Sequence, residues 1–190
     1  MSETAVEKKV VQRVPLPWAV SITVVLSLPF GLFLGNFNFP LWVAFIVWAE
    51  YFAFGTKPDS WKLVFPSIPA GAAAAALWMA TSNLLTPALA GALGSAFGGF
   101  LALAIGNLIW VTILLYVIPR VPSFAKGTLA VFNGLTLFLA VYFTGSVPSV
   151  GPMGNGYWVI VLAFLWTTLV AYFGWLLGFI NIALTFPKEE

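Results

Sequence analysis

The chain has 190 residues, of which 61% are hydrophobic and only 7% are charged, whereas ordinary globular domains carry about 25% charged residues. This composition excludes a water-soluble fold and predicts an integral membrane protein. The absence of cysteine and histidine excludes disulfides, thiol nucleophiles, imidazole bases and the usual zinc and haem ligands. The net charge of +2 comes from basic residues spread over short loops, so no nucleic acid partner is expected.

Six apolar segments follow one another along the chain, and about 20 residues are needed to cross about 30 Å of hydrocarbon. They lie at 18–34, 39–54, 61–84, 97–118, 124–144 and 158–185. Stretches rich in Gly, Pro, Asn and Ser separate them, namely "GNFNFP", "GTKPDS", "TPALAGALGS", "PRVPS" and "GSVPSVGPMGNG". We therefore predict an all-α, polytopic bundle of six transmembrane helices over residues 17–186, with a tail at 1–16 and a C-terminus at 187–190.

The basic residues predict how this bundle is oriented. With six crossings, every Lys and Arg falls on one side of the membrane: Lys8, Lys9, Arg13, Lys57, Lys62, Arg120, Lys126 and Lys188. Basic loops remain in the cytoplasm, so both termini are predicted to be cytoplasmic in a multi-pass protein of the plasma (inner) membrane. Five or seven crossings would break this pattern. No cleavable signal peptide is expected, because the first apolar segment is too long and lacks a small-residue cleavage site.

Two similar stretches suggest an internal repeat. The second segment closes with "AEYFAFG" at 49–55 and the fifth with "AVYFTG" at 140–145, and a tryptophan begins the next segment in each case. In a three-plus-three arrangement these helices point in opposite directions, as in inverted repeats whose binding site lies near the membrane midplane. A chance match is the alternative, since the sixth segment also contains "AYFG".

Prolines and small residues mark the third and fourth segments. Pro66 and Pro69 each remove a backbone donor, so we predict a bend or an unwound turn, with Ser67, water or a neighbouring helix bonding the freed carbonyls. Either this kink serves packing alone, or the carbonyls line a polar passage. Helices in lipid associate through close contact of small residues, and we predict tight packing of the two segments through Gly71, Ala75, Gly94, Gly98, Ala102 and Gly106.

Few polar residues lie inside the apolar segments. Glu50 is the only carboxylate among them, and burying it is costly. We expect it either to bind a cation, a proton or an amide-like solute, or to pair with Lys57 or Lys62 near the interface. Asn107 and Asn133 lie near the middles of the fourth and fifth segments, where each either joins two helices or contacts a solute. The predicted solute pathway consists of Glu50, Pro66, Ser67, Pro69, Asn107 and Asn133.

The stretches "WVAFIVWAEYFAFG" (42–55) and "SWKLVFPS" (60–67) resemble a family of small bacterial inner-membrane proteins known as domain of unknown function 1097. The residues that carry this resemblance are Trp42, Phe45, Trp48, Ala49, Tyr51, Phe52, Gly55, Trp61, Lys62, Leu63, Pro66 and Ser67. Glu50 departs from the family pattern. The resemblance implies a multi-helix membrane protein and brings no activity with it.

No phosphate-binding loop, carboxylate pair, serine triad or metal-ligand cluster occurs in the sequence. We therefore expect no enzyme, no catalytic residue, no cofactor and no metal. The expected function is a membrane channel or simple transporter for a small neutral or weakly charged solute, built as a homo-oligomer in the lipid bilayer. The alternative is a non-catalytic accessory subunit of a larger membrane complex.

Overall fold

A computed structural model describes residues 12–186 of the chain. These residues form seven α-helices and three short 3-10 helices, with no strand. The α-helices are α1 (Leu16–Leu32), α2 (Leu41–Ala53), α3 (Trp61–Leu93), α4 (Ser95–Val117), α5 (Pro122–Lys126), α6 (Thr128–Thr144) and α7 (Gly156–Thr185). The prediction of an all-α chain is confirmed for this part of the protein.

The helices differ widely in length. Within the described residues, α3, α4 and α7 are long and apolar enough to cross a membrane, while α1 and α6 are shorter apolar helices. The 13 residues of α2 reach about 20 Å and the 33 residues of α3 about 50 Å, at about 1.5 Å per residue. The three long apolar helices indicate a membrane-embedded protein.

Two predicted boundaries differ from the structure. The stretch "TPALAGALGS" does not separate the third and fourth segments, because α3 continues through Pro87 to Leu93. The chain reverses at Gly94 alone, where φ is +85° and a side chain would be strained. Gly94 is therefore a turn residue rather than part of the packing face of α4. The predicted fifth segment is divided at Gly127, which separates α5 from α6.

Pro66 and Pro69 do not unwind α3, which stays helical over its whole length. Proline at position 69 leaves the carbonyl of Phe65 without its helical donor. The hydroxyl of Tyr172 on α7 donates to that carbonyl at 2.8 Å, and the Phe65 and Tyr172 rings stack with centroids 4.1 Å apart. A neighbouring helix thus supplies the missing donor. Ser67 instead donates to the Ser123 carbonyl at 3.4 Å.

The bundle is organised around α3 and α7. Helix α3 packs on α4, α6 and α7, whereas α7 also packs on α1 and α2. Side chains buried in the main core include Val43, Ile68, Phe138 and Val170. Helix α4 lies at the periphery, since its only extensive helix contact is with α3.

Glycines allow three of these helix pairs to approach closely. A side chain on any of six glycines would overlap a neighbouring helix: Gly71 and Gly134 where α3 meets α6, Gly98 and Gly106 where α4 meets α3, and Gly174 and Gly178 where α7 meets α2. Such close approach is the main source of attraction between helices in lipid. The predicted face of α4 does lie against α3 through Gly98, Ala102 and Gly106, all buried. Gly71, however, faces the backbone of α6 rather than α4.

Candidate functional site

A buried carboxylate lies at the contact between α2 and α6. Glu50 is only 2% exposed, although it lies just one turn from the last residue of α2. The side-chain amide of Asn133 on α6 donates to Glu50 Oε1 at 3.2 Å. Glu50 Oε2 is buried and has no hydrogen-bond partner among the described residues. One oxygen of this carboxylate is therefore held by the protein, and the other remains available to a donor.

Neither predicted lysine pairs with Glu50. Lys62 Nζ instead lies 3.2 Å from Asp59 Oδ2, in an exposed ion pair with a residue about one turn earlier in the chain. That pair is the one salt bridge found in residues 12–186, and Lys57 takes no part in it. The structure therefore contradicts the alternative that Lys57 or Lys62 neutralises Glu50, because short-range pairing with Asp59 satisfies Lys62 outside the bundle.

The buried side-chain polar atoms that lack a partner within the described residues follow a pattern. All of them belong to α2 or α7: the indole nitrogens of Trp48 and Trp166, the hydroxyls of Thr167 and Thr168, the amide of Asn181 and Glu50 Oε2. These two helices pack along each other, with Gly174 against Ala44 and Gly178 against Tyr51. Buried polar groups without partners are rare in native structures and usually mark a bound water, an ion or a functional role.

Asn181 is the strongest of these signals, and sequence reasoning gave it no role. Its side chain is fully buried, yet neither Oδ1 nor Nδ2 has a partner in the described part of the chain. The sequence does offer a signal, because Gly174, Gly178 and Asn181 recur at helical spacing on one face of α7. That face is the one that packs on α2.

The other predicted pathway residues do not form hydrogen bonds to Glu50 or Asn133. Pro66 is exposed, Pro69 is partly buried, and Ser67 bonds to α5. Their segment nevertheless runs beside α6, since Gly134 abuts the Ile68 carbonyl. Asn107 is half-buried on the peripheral α4 and lies apart from Glu50. The structure thus brings together two of the six predicted residues, Glu50 and Asn133.

The geometry defines a membrane-embedded helical protein with one buried carboxylate among its described residues and no acid, histidine or cysteine cluster there that would hold a metal. A family model described as "Protein of unknown function (DUF1097)" matches residues 19–186. The chain belongs to this family, which confirms the resemblance seen in the sequence. No curated protein and no solved structure matches the chain.

Proposed function

We propose that the protein is a channel or simple transporter for a small neutral or weakly charged solute, and that it is not an enzyme. The observation that carries this proposal is Glu50, an almost wholly buried carboxylate with one oxygen lacking a partner among the described residues. An ionisable group inside a membrane bundle is costly, and such groups usually serve a substrate or ion pathway. Asn133 orients the carboxylate, and Oε2 accepts a hydrogen bond from an N–H or O–H of the solute.

The proposed solute pathway runs beside α2 and α7, whose own contact is closed by glycine packing. Every buried side-chain polar atom without a partner in residues 12–186 lies on one of these helices. Trp166 and Thr167 lie in the first half of α7 and Asn181 near its end, so the polar groups extend over much of the membrane thickness. A solute passing beside these helices would meet hydrogen-bonding groups at successive depths.

Six crossings with both termini in the cytoplasm are part of the proposal. The backbone N–H of Arg13 donates to the Thr185 carbonyl at 2.9 Å. The segment just before α1 therefore lies beside the last residue of α7. Trp175 in the second half of α7 donates to Ser60 at 2.9 Å, which brings the loop between α2 and α3 toward the same end. These contacts support one common end for Arg13, Lys57 and Lys62, and basic loops are retained in the cytoplasm of a plasma (inner) membrane.

An inverted repeat fits the order of helix contacts. In such a repeat, α1 corresponds to α4, α2 to α6 and α3 to α7. The α2–α7 contact then corresponds to the α6–α3 contact, and the α1–α7 contact corresponds to the α4–α3 contact. All four contacts occur. Two halves of opposite orientation that meet along α3 and α7 are the arrangement of many transporters. The exposed apolar side of α4 supplies the surface through which copies of the chain form a homo-oligomer.

Flux through liposomes that contain only this chain tests the proposal. Urea serves as the neutral probe and methylammonium as the charged probe. Glu50→Gln keeps the size of the side chain and removes its charge, so we expect the flux of at least one probe to change about tenfold, the effect of about 1.4 kcal/mol. Asp59→Asn is the matched control, because it removes a carboxylate that is exposed, and it leaves flux unchanged. Wild-type flux no higher than that of empty liposomes, or equal flux in Glu50→Gln, overturns the proposal.

The accessory-subunit alternative rests on one observation. Large apolar side chains along α4 are exposed, including Leu108 at 70% and Tyr116 at 65%. In this alternative, α4 packs on a different membrane protein and Glu50 only stabilises the bundle. A purified chain that forms closed homo-oligomers by light scattering supports the transporter proposal, whereas a monomer without flux supports the accessory role.

A further inference from the structure

An apolar groove of about 180 Å³ lies between α3 and α4. Two hydrogen bonds join the helices at one end of the groove. Trp110 donates to Thr81 at 2.8 Å, and Trp78 donates to the Leu103 carbonyl at 2.9 Å. Beyond that point the small residues of α3 leave space between the helices. The groove is lined by Ala70, Ala73, Ala74, Leu77, Trp110, Ile113, Leu114, Val117 and Phe124.

The short helix α5 closes the other end of the groove. Ser67 on α3 donates to the Ser123 carbonyl, which holds α5 on α3 and places Phe124 in the lining. Ala74 and Leu114 pack with Ile118 and Val131 in a small core behind the groove. Packed side chains thus form the back wall of the groove.

Two cations lie at this closed end. Arg120 ends the 3-10 helix that follows α4, three residues after the groove residue Val117, and Lys126 ends α5, two residues after Phe124. Both side chains are exposed. The guanidinium of Arg120 is held near the helix end, because it donates to the Tyr116 carbonyl and lies 5.7 Å from the centre of the Tyr116 ring.

We propose that this groove binds one anionic phospholipid, with an acyl chain between α3 and α4 and the phosphate headgroup at Arg120 and Lys126. The lining is almost wholly apolar, and in the proposed topology it faces the lipid with the two cations at the level of the headgroups. Basic clusters between helices at the cytoplasmic side of a membrane are suited to anionic headgroups. The site is independent of Glu50 and of any solute.

Thermal unfolding in detergent with added dioleoylphosphatidylglycerol or dioleoylphosphatidylcholine tests the site. We expect the anionic lipid to raise the unfolding midpoint by about 5 °C more than the zwitterionic lipid, because a ligand that binds only the folded state stabilises it. Native mass spectrometry should show one retained anionic lipid per chain. Ala73→Leu, which fills the groove, and the double variant Arg120→Gln/Lys126→Gln should each remove most of this difference.

Matched controls separate the groove from general effects. Ala92→Leu places the same side chain at an exposed position of α3 outside the groove, and Lys57→Gln removes a cation from another loop at the same end. Both controls should keep the response to the anionic lipid. The double charge variant alters exposed side chains only, so it remains informative if Ala73→Leu fails to fold. A response that persists in that double variant, or that Lys57→Gln abolishes equally, overturns the proposal.

Discussion

At the scale of single residues, the contact between Glu50 and Asn133 is the feature that distinguishes this bundle. The two residues are 83 positions apart, so no local sequence pattern could pair them. The sequence identifies both as costly in lipid, but only the packing of α2 against α6 shows that they meet. The same reasoning applies to the alternative in which Lys57 or Lys62 pairs with Glu50, which closeness along the chain allows but which Asp59, closer still to Lys62, prevents for that lysine.

Asn133→Leu should lower the stability of the folded protein by about 1–3 kcal/mol. The substitution removes the amide that donates to Glu50 and leaves both oxygens of the buried carboxylate without a donor among the described residues. The measurement is the midpoint of unfolding in mixed detergent micelles. Adding Glu50→Leu should recover most of the loss, because removing both polar partners removes the desolvation cost as well. Asn107→Leu, on the peripheral α4, is the control and should change stability by less than about 0.5 kcal/mol. A double variant no more stable than Asn133→Leu alone would contradict this account.

At the scale of helices, the sequence predicts the apolar segments but not the true end of α3 or the division of the fifth segment into α5 and α6. Hydrophobic length and flanking turn residues locate α1, α2 and α7 within a few residues. Pro87 was a misleading stop signal, because the residues after it gain a partner in α4. The backbone at Leu89 and Ala90 lies against Gly98, and this contact outweighs the loss of one helical hydrogen bond. Which small residue faces which helix also depends on tertiary packing, as Gly71 shows by facing α6.

Neighbouring glycines on α4 test the importance of close helix contact. A methyl group at Gly98 would overlap the backbone of Leu89 and Ala90, whereas at Gly99 it would meet nothing within 4 Å. Gly98→Ala should therefore destabilise the protein by about 1–3 kcal/mol, as overpacking does. Gly99→Ala should leave stability unchanged or raise it by up to about 1 kcal/mol, because alanine favours the helix more than glycine does. Unfolding midpoints in detergent compare the two variants, and equal effects would show that α3 and α4 have room to separate.

At the scale of the whole molecule, tertiary contacts and charge support the proposed orientation by independent routes. The sequence places all its basic residues on one side if six segments cross. The structure brings Arg13 to the end of α7 and Ser60 to Trp175 through hydrogen bonds that involve no charge. The lengths of α1, α2 and α6 do not by themselves establish crossings, because each is shorter than the roughly 20 residues that span a bilayer. In the proposed topology, packing of the short helices against α3 and α7 permits them to cross.

Single cysteines in a chain that has none test this orientation in intact cells. Asn36 lies between α1 and α2, and Ser149 lies between α6 and α7, and both are exposed. Cysteines at these positions should react with a membrane-impermeant maleimide added outside. Cysteine at Lys57, exposed between α2 and α3, should react only after the membrane is permeabilised, because the basic end faces the cytoplasm. Labelling of all three after permeabilisation controls for accessibility. Reaction of the Lys57 position in intact cells, or protection of either of the other two, would rule out six crossings with both termini inside.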